Sequence, residues 1–300
     1  MRKLRAYYTP TQTNRILVAK LERVPKIRDA YSFVPLAEEL HERKPQLEEI
    51  AKSRKRTVFL WGDGHRHDES YWFTFTREMS NIEAKVNIDY HDDNNAGSRY
   101  LHHGNHMYYT QKNGMRIIIP EKIESYSDCS LKKPTRMERF LRRAKREGRK
   151  FGINEVALTI DLDGLVGLPV LEEWIYHNGL QPRQVVGLVR TLGTRIFRLD
   201  IGGLVEDMPD FDIVSVGEIP KPFEVMSYLD DVTKLTGEQQ IKAIDLKITN
   251  FQSFCSSTTA QNVERTNDPK DKPLIDLVGS YTLDAYIKIL GAYVDAIREN

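Results

Sequence analysis

The sequence has little cysteine, no long apolar run and almost no net charge, and each shortage closes off a class of protein. Two cysteines among 300 residues, Cys129 and Cys255, cannot build a disulfide framework or a cysteine-rich zinc site. No apolar stretch approaches the ~18 residues that a membrane span requires. The opening MRKLRAYYTPTQTNR lacks the apolar segment of a signal peptide. These features lead to the expectation of a cytoplasmic chain without membrane contact. Forty-four Lys and Arg stand against 43 Asp and Glu, a formal charge of +1, so no global field drives the chain onto nucleic acid or lipid. There is no internal repeat. What is present is apolar content, 40% of residues, enough for one or two domains with a substantial core.

The near-zero charge is a sum over separated patches. Six of the eight histidines (His65, His67, His91, His102, His103, His106) fall between positions 65 and 106, among acidic residues. Short apolar runs rich in β-preferring residues predict strands at Thr57–Trp61, Lys85–Asp89, Met115–Ile119, Glu155–Asp161, Ile196–Leu199 and Phe211–Val216. Helical patterns fall at Pro35–Ile50, from Asp68 to about Met79, and at Leu168–His177, Pro182–Leu192, Phe223–Leu229, Glu238–Ile248 and Leu283–Arg298. Such alternation favours an α/β fold, a mostly parallel central sheet covered by helices on both faces. Residues 1–56, polar and basic, are expected to be an N-terminal helical extension, with a catalytic domain over 57–300. Residues 249–280 are expected to be an irregular surface excursion.

In open α/β sheets, ligands bind beyond the carboxyl ends of the strands, and the polar motifs of this chain follow its strand-like runs. The first ends in Gly64-His65-Arg66-His67-Asp68, the second in Asp89-Tyr90-His91-Asp92-Asp93, the fourth in Asp161-Leu162-Asp163. In extended backbone the i, i+2, i+4 spacing puts Asp89, His91 and Asp93 on one face, and Asp161 shares a face with Asp163. With one histidine from the first motif, the set holds four carboxylates and two imidazoles. That much negative charge repels itself unless cations are present, and two divalent ions of the manganese type suit mixed oxygen and imidazole donors. Each motif alone is ordinary at strand ends. Their occurrence together, in this order, points to a metal site.

The order and form of these motifs resemble the arginase-like ureohydrolases of the arginase–deacetylase superfamily. His67-Asp-Glu-Ser-Tyr-Trp72, followed by the Asp89 motif, is similar to a divergent branch containing peptide arginases. The resemblance spans residues 57–220 and is weak outside the motifs. It implies a three-layer α/β/α fold and two Mn2+ ions held by His67, Asp89, His91, Asp93, Asp161 and Asp163. His65 is the rival of His67 for the first position. The implied activity is cleavage of the guanidino group of arginine, in a peptide or in a small guanidino compound, to ornithine and urea. Asp161 would act at the catalytic centre as well as at the metals. His103, in Leu101-His-His103-Gly104, falls where the family carries a histidine able to shuttle protons or contact substrate. A planar guanidinium pairs well with a carboxylate. Two residues compete for that role: Glu218, favoured because it follows a strand-like run, and Glu206, in Leu204-Val-Glu206-Asp-Met-Pro209. One departure is plain: family members often continue Asp-x-Asp as x-x-Asp-Pro, whereas Asp163 here is followed by Gly-Leu-Val166.

Ten Lys or Arg residues lie between 132 and 150, around an apolar stripe of Met137, Phe140, Leu141 and Ala144. Thr135 with Glu138 makes a capping box, so an amphipathic basic helix is expected. It reads as a solvated face or as a docking surface for an acidic peptide or nucleic acid. Nucleic acid is not the expected partner of the chain, and a homo-oligomer is compatible with the sequence. The competing readings are a single-zinc deacetylase of the same fold, a nucleic-acid- or peptide-binding module on a degenerate hydrolase scaffold, and a metal-dependent nuclease.

Overall fold

A computed structural model describes residues 3–38, 40–62, 82, 84–88, 116–118, 155–162, 182–204 and 272–298. Among these residues are seven strands: β1 (Leu4–Tyr8), β2 (Tyr31–Pro35), β3 (Thr57–Gly62), β4 (Ala84–Ile88), β5 (Arg116–Ile118), β6 (Val156–Asp161) and β7 (Ile196–Leu204). They form one sheet in the order β2-β1-β3-β7-β6-β4-β5, and each neighbouring pair is parallel. The helices are α1 (Gln12–Leu21), α2 (Pro25–Ala30), α3 (Leu40–Lys52), α4 (Pro182–Leu192) and α5 (Lys272–Arg298).

Side chains alternate across a strand, so each strand serves two layers with independent compositions. One face presents Ala6, Val58, Leu60, Val86, Ile88, Leu158, Ile160, Leu199 and Ile201, which merge with residues of α1, α2, α4 and α5 into the larger core. On the opposite face, Tyr7, Phe59, Trp61, Ala157 and Phe197 meet Leu47, Ile50 and Ala51 of α3 in a second core. Helices on both faces of a parallel sheet give the expected three layers. Tyr7, Phe59 and Trp61 stack in sequence across β1 and β3, with centroid separations of 5.4 and 5.1 Å.

Local chemistry fixes these elements. Thr11 caps α1 by accepting from the Asn14 backbone N–H at 3.2 Å. The buried Asn14 amide then donates to the Thr9 and Leu60 carbonyls at 3.0 and 3.1 Å, tying the chain beyond β1 to the carboxyl end of β3. Arg43, also buried, donates through Nε to the Ala37 carbonyl at 2.8 Å and so closes the turn from β2 into α3. Gly193, with φ +54°, supplies the left-handed residue after α4 that starts the turn into β7. Helix α5 is tied to the sheet by two tyrosine hydroxyls. Tyr31 donates to the Leu290 carbonyl at 2.8 Å and Tyr293 to the Ile196 carbonyl at 2.9 Å.

The predicted strands at 57–61, 85–89, 115–119, 155–161 and 196–199 all have counterparts, and β7 runs five residues past its expected end. The extension includes Gly202 and Gly203. Pairing with β3 and β6 on either side carries the strand through them. The expected helical extension over 1–56 needs correction. It supplies two strands, β1 and β2, and position 56/57 divides hydrogen-bonded neighbours of a single sheet. Pro35 ends β2 instead of opening a helix, as suits a residue without an amide donor on an edge strand. The expected excursion over 249–280 is also shorter, because α5 begins at Lys272. No helix among the described residues is long and apolar enough to cross a membrane. The helices and strand expected at 68–79, 168–177, 211–216, 223–229 and 238–248, and the basic helix near 135–150, lie outside the described residues.

Candidate metal and active site

The four central strands of the sheet are β3, β7, β6 and β4. Because all run parallel, their carboxyl ends share one edge. Three of the four lead directly into the motifs read from the sequence. Gly62 ends β3 two residues before Gly64, Ile88 ends β4 one residue before Asp89, and Asp161 is the last residue of β6. The register is set by Ile88 opposite Ile160 and Asp161 opposite Gly202.

Of the residues predicted to form the site, Asp161 lies among those described. Its side chain is 4% exposed, on the face opposite the larger core. His67, Asp89, His91, Asp93, Asp163, His103, Glu206 and Glu218, with the rival His65, lie outside the described residues. A buried carboxylate keeps its charge only beside a cation or strong donors. Asp161 ends a central strand, in the position where a parallel sheet presents its ligands. On both grounds, burial and place, it fits a metal ligand.

The sequence did not draw attention to what lies beneath Asp161. On the same face, one level toward the amino ends, Asn87 of β4, Thr159 of β6 and Asp200 of β7 stand side by side in register. One level further down, Lys85, Ala157 and Arg198 form the next row. Lys85, Asn87, Thr159, Arg198 and Asp200 are each 2% exposed or less. The Arg198 guanidinium donates through Nε to Thr57 Oγ1 at 3.3 Å and lies 5.6 Å from the Phe59 ring centre. Burial pulls its pKa down to about 9, and the Asp200 carboxylate opposes that shift, so the group is a cation at neutral pH. The signal was available in the sequence. Lys85-Val-Asn87 and Arg198-Leu-Asp200 alternate polar with apolar at period two, the mark of a strand whose faces differ.

Two buried donors on this face, Trp61 Nε1 and Thr159 Oγ1, make no hydrogen bond among the described residues. Such groups are ordinarily satisfied by protein or by ordered water. Both belong to the strands whose ends carry the motifs.

No protein-family model matches the chain, and no curated protein matches it. Solved structures do. The proclavaminate amidino hydrolase from Streptomyces clavuligerus superposes with a TM-score of 0.52 at 12% identity, covering 99% of this chain and 93% of that one. The agmatine ureohydrolase of Thermoplasma volcanium gives 0.51 at 12% identity over 68% of this chain and 83% of that one. The arginase from Bacillus caldovelox gives 0.50 at 13% identity over 70% and 94%. At such identities the likeness establishes the fold, an α/β/α architecture shared with these three enzymes.

Proposed function

We propose that the chain is a binuclear manganese hydrolase that cleaves the guanidino group of arginine, held in a peptide, to ornithine and urea. The observation that carries this reading is Asp161. It is a buried carboxylate at the carboxyl end of β6, and the strands β4 and β3 on either flank of the β6–β7 pair run straight into the other motifs. Three solved structures that share this fold are an amidino hydrolase, a ureohydrolase and an arginase, which supports the same class of chemistry.

The proposed metal ligands are His67, Asp89, His91, Asp93, Asp161 and Asp163, with His65 as the alternative to His67. Chain connectivity favours the set: Asp89 follows Ile88 by one peptide unit, about 3.8 Å between Cα atoms, and Ile88 is level with the residue before Asp161. When bound, a divalent pair lowers the pKa of water and polarises the substrate, as hydrolysis of a guanidinium carbon requires. The protein's own groups do the rest. The carboxylates orient the reacting centre, and His103 carries a proton to the leaving nitrogen. A glutamate pairs with the planar cation. For that last role Glu218 and Glu206 remain the two candidates; that β7 neighbours β6 and reaches Leu204, two residues before Glu206, supports Glu206.

A peptide substrate is preferred to a free guanidino compound because the ten Lys and Arg residues between 132 and 150 would suit docking of an acidic peptide. The test is urea release with Mn2+ from a panel of arginine-containing peptides and free guanidines, with metal analysis of the purified chain. Asp161→Ala should reduce release by at least about a thousandfold, as expected when a group central to the reacting centre is lost. One tightly bound zinc per chain with no manganese activation, or full activity in Asp161→Ala, would sink the proposal.

A further inference from the structure

The amino edge of the sheet, opposite the strand ends that carry the motifs, is lined with cations. The loop from α3 into β3 reads Lys52-Ser-Arg54-Lys55-Arg56. β1 adds Arg5, level with Thr57 at the start of β3. Carried back two residues, the same register sets Lys3 beside Lys55. Adjacent strands lie about 4.8 Å apart, so these cations share one narrow band. Lys3, Arg5, Lys52, Arg54 and Lys55 are exposed. Arg56 is half-buried and donates through Nη1 to the Ile196 carbonyl at 2.6 Å. Among the described residues none of the six is in an ion pair, and Glu49 acts on Arg5 through space.

Folding does not account for this arrangement. Cations near a helix C-terminus complement its dipole, and Lys52 in the last turn of α3 gains from that. The effect fades beyond the last turn, which leaves Lys3, Arg5 and Lys55 without it. Like charges on neighbouring strands repel. Arg54 carries a second cost. Its φ of +48° is left-handed, a conformation that a Cβ disfavours and glycine adopts freely. The equivalent turn, from α4 into the neighbouring strand β7, uses Gly193 at φ +54°. The two turns share a conformation, and one of them keeps an arginine where glycine is easier.

We propose that the amino edge of β1 and β3 is a docking surface for an acidic, extended segment of the peptide substrate, remote from the arginine that reacts. This rests on the peptide reading above. Carboxylates pair with Lys and Arg through charge-assisted hydrogen bonds. An extended peptide presents alternate side chains on one side, about 6.6 Å apart, a spacing that suits a band two strands wide. A polynucleotide fits less well. The rings nearest the cations, Tyr7 against Arg5 and Phe197 under Arg56, are buried and offer bases no platform for stacking. The formal charge of +1 provides no long-range field for a polyanion. The two edges are separated by the length of β3, six residues or about 20 Å. The acidic segment and the arginine are therefore at least about six residues apart in the peptide.

The experiment titrates a labelled Glu-Ser repeat of about eight residues, lacking arginine, into the full chain in EDTA and follows its anisotropy. It compares the wild-type chain with Arg54→Gly and with the double variant Lys52→Glu, Lys55→Glu, and records thermal midpoints. The wild-type chain should bind the repeat, more weakly as salt rises. The double variant should lose about tenfold or more in affinity. Arg54→Gly should lose about threefold while its midpoint holds or rises, since the strain is relieved. A lower midpoint with unchanged binding would overturn the proposal, because an arginine with a purely structural role predicts it. No binding by the wild-type chain, or tighter binding of a single-stranded oligonucleotide of equal charge, would do the same. Joined to an arginine peptide about ten residues from the arginine, the repeat should lower KM for urea release with Mn2+ about tenfold at unchanged kcat, and the double variant should lose that gain. Equal KM with and without the repeat would also overturn it. Urea release from no peptide, with binding of the repeat intact, would instead sink the catalytic reading on which the substrate assignment depends.

Discussion

Along β4, β6 and β7 the two faces of the sheet are equally buried and chemically opposite. Toward α1, α4 and α5, β4, β6 and β7 show only apolar side chains: Val86 and Ile88, Leu158 and Ile160, Leu199 and Ile201. On the other side the same strands, at interleaved positions, carry Lys85 and Asn87, Thr159 and Asp161, Arg198 and Asp200. Depth does not separate core from site here; alternation does. A strand of period two can place cohesion on one side and chemistry on the other without compromise between them. The first face needs only volume and shape, whereas the second must satisfy every polar group that it buries.

That division can be broken by mutation. The largest effect is expected on the apolar face, where Leu199→Ala should cost about 2–5 kcal/mol of folding stability through lost transfer energy and a cavity. Denaturant midpoints would measure this, and Mn2+ affinity should be unchanged. A large change in metal affinity would mean that the faces are not independent. Next come the hydroxyl ties to α5. Tyr31→Phe removes the donor to the Leu290 carbonyl and should cost about 1 kcal/mol near neutral pH. Burial raises the Tyr31 hydroxyl well above its ordinary pKa of 10 and raises that of Tyr293 as well. Because these folded values lie above the unfolded one, their stabilising contribution is complete below pH 10 and is lost as pH rises beyond it. Arg198 has the opposite sign: the cost of its buried charge is full below about pH 9 and eases as pH rises beyond it. Thermal midpoints should therefore fall above pH 10 in the wild type and fall less steeply in Tyr31→Phe. An unchanged slope would show that Tyr31 does not set it. The smallest effect belongs to the surface. Lys26 and Asp295 pair at 2.7 Å with side chains 49% and 37% exposed, so Lys26→Met should shift stability by less than about 1 kcal/mol and the shift should vanish at high salt.

How much was legible in the sequence follows the same division. The strands β3, β4 and β6 announced themselves, since TVFLW and VALTI are apolar or β-branched runs and KVNI alternates polar with β-branched residues, each ended by turn residues or carboxylates. So did Asp161, because a strand-end carboxylate two residues from another is a recognisable pattern. β1 and β2 did not. LRAYY and YSFVP are short and lie among basic residues, and their strand character comes from pairing with each other and with β3, a tertiary contribution that local propensity does not contain. Helix α1 left a fainter trace, a capping threonine at 11 followed by Leu17, Val18 and Leu21 on its buried side. The polar layer was the hardest to see. Lys85 and Arg198 gain meaning only when the sheet order puts β4, β6 and β7 side by side.

Helix α5 carries a consequence of another kind, concerning time. At 27 residues, it spans about 40 Å and joins parts of the chain that are distant in sequence. Its Asp295 pairs with Lys26 across 269 positions, and its Leu290 carbonyl accepts from Tyr31 across 259. Contacts of that range close large loops and slow the search for the native state. Until α5 docks, the apolar face of the central strands and the helices beside it remain open to water or to other chains. Apolar surface left open before such a docking step favours association with other chains.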